Sequence, residues 1–154
     1  MKNLVLSLMI MVFGLFACSQ AKPPKAVSDA LKNQFAKAEK VQWGQEEENE
    51  WEAEFMMDGK EMSACYDIAG KWIETESALS TDELPPAITD SLKVKFEDFE
   101  IEEAESIEKP GFKGFEITLE KDSTAMEVLI DVNGEITSKN MIEQEEEEEE
   151  EGDD

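Results

Sequence analysis

The sequence predicts an α+β fold in which one antiparallel sheet of about eight strands carries its helices on a single face. Three observations support this prediction: an internal duplication, an apolar stripe at helical spacing at the start of each copy, and an alternation of apolar and polar residues after each stripe. Together they predict one domain, made from two copies of a helix followed by about four strands.

The duplication is visible in two pairs of segments. Residues 24–35 and 85–96 share Pro, Ala, Asp, Leu, Lys and Phe at an offset of 61. Residues 66–72 and 130–136 align at an offset of 64, which places about three extra residues in the second copy. We therefore predict repeat one over residues 24–80 and repeat two over 85–142, joined within a single domain over 25–142.

Each copy is expected to open with a helix. Proline stands at the start, where the N–H that it lacks has no partner in a helix. The apolar residues that share one helical face are Val27, Ala30, Leu31 and Phe35 in the first copy and Ile88, Leu92, Phe96 and Phe99 in the second. These stripes predict the sides of the helices that pack on the sheet.

The strands follow from the two-residue period. Residues 51–57 alternate apolar and polar side chains, Asp58-Gly59 predicts a hairpin turn, and residues 62–68 alternate again. In the second copy residues 115–119 and 126–132 do the same, and Asn133-Gly134 predicts a type I′ turn. Further strands are expected near residues 40–45 and 100–107. We expect the helices to cover one sheet face and water to cover the other.

The N-terminus predicts export. Lys2 precedes an apolar run over residues 4–16, which is the length of a signal-peptide core and too short to span a bilayer. The run ends in Leu15-Phe16-Ala17-Cys18, which resembles the lipobox of bacterial lipoproteins and makes Cys18 the expected lipid-attachment residue. Residues 1–17 are then a signal peptide and 18–24 a lipid-anchored tether. Ordinary signal-peptidase cleavage after Ala21 is the alternative.

The expected bonding state of Cys65 depends on whether Cys18 carries a lipid. If Cys18 carries a lipid, Cys65 has no partner for an intramolecular disulfide; without the lipid, a Cys18–Cys65 disulfide is the alternative. We interpret Cys65 as a small apolar strand residue rather than a reactive thiol. A lipidated protein is expected in the cell envelope facing the periplasm, and a non-lipidated one as a soluble periplasmic or secreted protein.

The composition excludes several classes of function. The formal net charge is −25, and the chain has 14 lysines, no arginine and no histidine. Ser–His and Cys–His nucleophile pairs are therefore impossible, and the commonest zinc ligand is missing. Nucleic acid would be repelled. The chain also lacks the common phosphate-binding and hydrolase motifs. We predict no enzyme, no cofactor, no catalytic residue and no metal ligand, although a hydrolase that uses only carboxylates stays a minor alternative.

The helix motif Pro-x-Ala-[Val/Ile]-x-Asp-x-Leu, the strand Trp51–Phe55 and the segment Tyr66-Asp-x-x-Gly-Lys-Trp72 resemble the PepSY-like, or beta-lactamase-inhibitor-like, proteins that are common among exported proteins of Bacteroidetes. The resemblance covers residues 24–142. It implies tandem helix-and-sheet repeats and a non-catalytic binding or inhibitory module, and it brings no catalytic residues.

The last residues form an acidic tail, 143–154, that contains seven consecutive glutamates at 145–151. Such a dense run of like charge predicts a disordered, solvating segment, with weak capture of divalent cations as an alternative role. The leading hypothesis is an envelope lipoprotein that binds an unidentified protein or peptide. The alternative is an acidic lipoprotein that binds or buffers divalent cations through its carboxylates and its poly-glutamate tail.

Overall fold

A computed structural model describes residues 22–142. Two α-helices and eight strands alternate in the order helix, four strands, helix, four strands. The helices are α1 (Lys25–Gln34) and α2 (Pro86–Lys95), and a short 3₁₀ helix (Thr81–Glu83) precedes α2. The strands are β1 (Glu39–Glu47), β2 (Glu50–Met57), β3 (Lys60–Asp67), β4 (Trp72–Ala78), β5 (Glu100–Lys109), β6 (Phe112–Lys121), β7 (Thr124–Asp131) and β8 (Ile136–Ile142).

All eight strands form one antiparallel sheet in sequence order. The two four-strand halves join through β4 and β5, where Thr75 lies opposite Glu108 and Ala78 opposite Glu105. This pairing removes two exposed strand edges. The predicted fold class, a sheet of eight antiparallel strands with helices on one face, is confirmed.

The core lies between the helices and one face of the sheet, which we call the helical face. Val27 and Leu31 of α1 pack on Ala53, Phe55 and Tyr66. The second cluster contains Ile88 and Leu92 of α2 with Ala104, Ile117, Leu119, Val128 and Ile130. The apolar stripes that the sequence predicted are therefore the packing sides of the helices.

Equivalent aspartates end β3 and β7. The Oδ1 atom of Asp67 accepts hydrogen bonds from the N–H groups of Ala69 and Lys71, both at 2.9 Å. Asp131 accepts from the N–H groups of Asn133 and Glu135 at 2.8 and 2.9 Å. These bonds take the place of hydrogen bonds between paired strands, so β3 ends at Asp67 and β7 ends at Asp131.

This geometry corrects one predicted turn. A type I′ turn needs positive φ at both central residues, but in the pair Asn133-Gly134 only Gly134 has it, with φ +86°. The side chain of Asp131 instead shapes a wider loop. At Asp58-Gly59 both φ values are positive, 52° and 84°, as the hairpin prediction requires.

Candidate functional site

Acidic side chains gather on the sheet face opposite the helices, which we call the acidic face. The strand alternation that turns Ala53 and Phe55 toward α1 turns their neighbours to the other side. By the strand register, the glutamates of the acidic face include Glu50, Glu52, Glu54, Glu61, Glu74, Glu76, Glu103, Glu105, Glu116, Glu120 and Glu127. Six strands, β2 to β7, thus direct glutamates to one surface.

Several of these glutamates are buried, which the sequence did not predict. The exposed fraction is 4% for Glu52, 4% for Glu76, 7% for Glu116 and 3% for Glu127. The expectation that water covers this whole face was therefore wrong at its centre. Neighbouring side chains on the same face shield these carboxyls, while Glu103 at the margin is exposed.

Burial changes the protonation of the central carboxyls. It raises the pKa of Glu52 to about 9, and a hydrogen bond and the negative charge of Glu46 act in the same direction. Burial and the charges of Glu76, Glu127 and Glu105 raise the pKa of Glu116 to about 9. These two carboxyls therefore hold protons at neutral pH in the absence of a counter-charge.

Glu76 and Glu105 respond in the same way. Burial, followed by the charges of Glu105 and Glu74, raises the pKa of Glu76 to about 8, while Ser63 and Lys109 oppose the shift. Burial, Glu103 and Glu127 raise the pKa of Glu105 to about 7. Ionisation of these carboxyls is therefore unfavourable, and a positive charge beside them would favour their ionised form.

Charge interactions extend across the acidic face. Glu74 on β4 raises the pKa of Glu127 on β7, although two strands lie between them. The carboxyls of the acidic face therefore influence one another's protonation.

Among residues 22–142, few groups on the acidic face offset its negative charge or hydrogen-bond its carboxyls. Lys109 brings an ammonium group, whose Nζ lies 3.3 Å from Glu74 Oε2 and 5.9 Å from the centre of the Phe112 ring. The Ser63 hydroxyl donates a hydrogen bond of 3.2 Å to Glu76 Oε2. Within residues 22–142, the Oε1 atoms of Glu52 and Glu127 are buried without a hydrogen-bond partner.

Cys65 lies on the acidic face, and its surroundings suppress the reactivity of its thiol. Its side chain is 4% exposed and lies opposite Glu52 and Glu74 on the neighbouring strands. Burial, with the negative charges around it, raises the pKa of the thiol, so the nucleophilic thiolate is suppressed. This agrees with the interpretation of Cys65 as a small strand residue.

Two groups of side chains have the spacing of metal ligands. Glu50, Cys65 and Glu74 form one group, and Glu76, Glu105 and Glu116 form the other; within each group the ligand atoms lie within 4.8 Å of one another. Sequence reasoning named no metal ligand and did not identify either group. The available signal was the glutamate at alternate positions of neighbouring strands, which has meaning only once the register is known.

Cys18 and the acidic tail lie outside the described residues, so the lipid attachment and the domain limits 1–17, 18–24 and 143–154 stay predictions. Within residues 22–142, no helix combines the length and the apolar character that a membrane crossing requires.

Comparison with solved structures supports the fold. A BLIP-like protein from Bacteroides fragilis is 21% identical, with 84% of this chain and 93% of that chain covered and a TM-score of 0.72. A DUF2874 family protein from Bacteroides ovatus is 21% identical over 79% of this chain and 89% of that one, also with a TM-score of 0.72. A protein from Bacteroides eggerthii described as periplasmic is 20% identical over 79% and 91%, with the same TM-score.

The search of curated proteins found no match. The profile of the family described as "Putative beta-lactamase-inhibitor-like, PepSY-like" matches residues 49–138, which is more than half of the chain. The family resemblance predicted from the sequence is confirmed, and the chain belongs to the PepSY-like, beta-lactamase-inhibitor-like family.

Proposed function

We propose that the protein is a non-catalytic binding module of the cell envelope, and that its acidic face holds a basic segment of a protein or peptide partner. The observation that carries this proposal is the acidic face itself, where glutamates from six strands share one surface. A partner rich in lysine or arginine would supply the positive charge that favours the ionised form of these carboxyls. Complementary charge of this kind also accelerates encounter and selects partners.

The chemistry of the acidic face favours binding over catalysis. The Ser63 hydroxyl donates to a carboxylate, and without histidine in the chain it has no imidazole base to activate it. The Cys65 thiol is held protonated. The family is described as inhibitor-like, and an inhibitor acts by binding a protein. The proposal names no inhibited enzyme, because fold similarity carries no partner.

Affinity capture with matched charge variants tests the proposal. The acidic-face variant combines Glu54→Lys, Glu61→Lys and Glu103→Lys, and the control variant combines Asp82→Lys, Asp90→Lys and Glu97→Lys around α2. Both change the net charge equally, and all six residues are partly or fully exposed. Wild type and control should retain the same envelope proteins, while the acidic-face variant should lose them by roughly tenfold or more.

Salt dependence adds a second criterion. Retained proteins should be basic and should elute as the ionic strength rises, since screening weakens partly exposed charge pairs. Equal retention by all three proteins, or equal loss in both variants, would count against a role for the acidic face in binding.

We further propose that the module is anchored through a lipid on Cys18. The motif at residues 15–18 supports this, and a structural neighbour described as periplasmic supports the envelope location. Mass spectrometry of the membrane fraction should find Cys18 at the N-terminus carrying acyl chains, and Cys18→Ser should move the protein to the soluble fraction. A mature N-terminus at Lys22 would disprove the lipid while leaving export intact.

A further inference from the structure

We propose that Glu76, Glu105 and Glu116 bind one hard divalent cation, of which Ca²⁺ is the best fit, at the junction between the two halves of the sheet. We call these three residues the junction cluster. One oxygen from each side chain lies within 4.8 Å of the other two. Three oxygens that surround one Ca²⁺ at about 2.3–2.6 Å lie about 4–4.5 Å apart, so small side-chain rotations would bring all three onto a single ion.

The backbone holds these side chains in place. Glu76 is on β4, Glu105 on β5 and Glu116 on β6. Glu105 and Glu116 are direct partners in the β5–β6 ladder. Glu76 lies opposite Ile107, two residues from Glu105 on the same face. Three consecutive strands thus present three carboxylates to one point, which lowers the entropy lost when an ion binds.

A fourth carboxylate independently indicates a missing positive charge. Glu127 on β7 shares the acidic face with Glu116, is only 3% exposed, and within residues 22–142 its Oε1 atom has no hydrogen-bond partner. Its charge acts on both Glu105 and Glu116. A buried carboxylate oxygen without a donor is costly, and a cation beside it would satisfy it directly or through a bound water.

Protein groups fill this role only in part. The charge of Lys109 lowers the pKa of Glu76, Glu116 and Glu127, and Asn140 hydrogen-bonds Glu127. Lys109 nevertheless directs its Nζ to Glu74, 3.3 Å away, in the neighbouring group of Glu50, Cys65 and Glu74. That group has its own cation and a protonated thiol, so the proposal does not extend to it. In the junction cluster, the Ser63 hydroxyl, which is neutral, donates a hydrogen bond to Glu76.

The chemistry of the candidate ligands indicates which kind of ion would bind. All the candidate donors are carboxylate oxygens, with no imidazole or thiolate among them, which suits Ca²⁺ or Mg²⁺ rather than zinc or copper. Ca²⁺ accepts irregular geometry and six to eight oxygens, whereas Mg²⁺ demands a near-ideal octahedron. Three carboxylates from three strands, completed by Glu127 and water, therefore fit Ca²⁺ better.

Calorimetric titration of the mature chain with CaCl₂, after removal of metals by a chelator, tests the site. We expect one discrete site per chain, separable from weak binding by the tail. Glu116→Gln should raise its dissociation constant by at least about tenfold, since even outer-shell changes at metal sites cost about 10–100-fold. Glu120→Gln is the matched control, because it lies on β6 and on the same face about 13 Å away.

The discrete site should persist in Glu120→Gln, and Ca²⁺ should raise the unfolding temperature of wild type and control but not of Glu116→Gln. Identical isotherms in all three proteins, or no discrete site in the wild type, would overturn the proposal. If Glu116→Gln fails to fold, Mn²⁺ added to the wild type should broaden the amide NMR signals of Glu105 and Glu116 first. Broadening confined to residues 143–154 would also overturn it. None of these results depends on partner capture, so the two proposals fail separately.

Discussion

Replacing Gly70 with alanine is expected to lower the free energy of unfolding by roughly 2–5 kcal/mol. Gly70 has a φ of +79°, which L side chains rarely adopt, and an added Cβ would lie 2.5 Å from Ala26 O and 2.8 Å from Ala26 C. That backbone belongs to α1, so relieving the overlap means moving the helix on its core. Urea denaturation monitored by tryptophan fluorescence measures the loss.

The substitution Gly59→Ala measures the cost of backbone strain alone, without a steric clash like that between Gly70 and α1. Gly59 has a similar φ of +84°, but nothing lies within 4 Å of its added Cβ. Its substitution should therefore cost only the strain, about 1–2 kcal/mol. Equal losses at the two glycines would show that α1 does not rest on the turn at Gly70 as closely as the structure indicates.

The stability of the protein is expected to fall by several kcal/mol as the pH rises from about 4.5 to about 9, because each unit of pKa shift corresponds to about 1.4 kcal/mol. The pKa of Glu52 is raised from its usual 4.5 to about 9 in the folded state. Its favourable contribution is complete below pH 4.5, where folded and unfolded chains both hold the proton. It declines above that and is lost at about pH 9, where the folded carboxyl must also ionise.

The groups facing Glu52 act in the same direction. They are Glu46 on β1, Glu54 on β2 and Glu76 on β4, all of them acidic, and the protonated thiol of Cys65 lies opposite on β3. The pKa of Glu83 is lowered to about 2, mainly by the hydrogen bond from Lys60. Its contribution to stability is lost as the pH falls below about 4.5, which is outside the range where the contribution of Glu52 changes. Measurements between pH 5 and 8.5 therefore isolate the buried glutamates.

Glu52→Gln is the decisive variant for this pH dependence. It removes the ionisable group with little change in volume, so the urea midpoint should depend less on pH than in the wild type. Both proteins are measured in EDTA, so that divalent cations do not compete with protons. An unchanged slope in the variant would show that Glu52 ionises normally and is not buried as the structure has it.

The sequence predicted the sheet because its signals are local. The alternation at Trp51, Ala53 and Phe55 needs only the two-residue period, and the stripe through Val27 and Leu31 needs only helical spacing. The turn at Asn133-Gly134 was predicted wrongly, because the side chain of Asp131, which is not part of the dipeptide, forms the loop.

The acidic face was harder to predict, since it depends on which strands are neighbours and on their register. Glu105 and Glu116 are eleven residues apart in the chain and become direct partners only through the β5–β6 ladder. Their burial depends further on the side chains that neighbouring strands place beside them, which no local pattern encodes. Alternating glutamates could be recognised in the sequence. The sequence could not show that they meet on one surface, or that few positive charges lie near them.

The central claim is that the acidic face is the binding surface, and NMR titration of the mature chain with a lysine-rich peptide tests it most directly. At physiological salt, the largest shifts of amide signals should fall on residues of the acidic face such as Glu54, Glu74 and Glu103, and an acidic peptide of equal length should produce none. Shifts confined to α1, α2 or the tail, or equal shifts with both peptides, would contradict the claim.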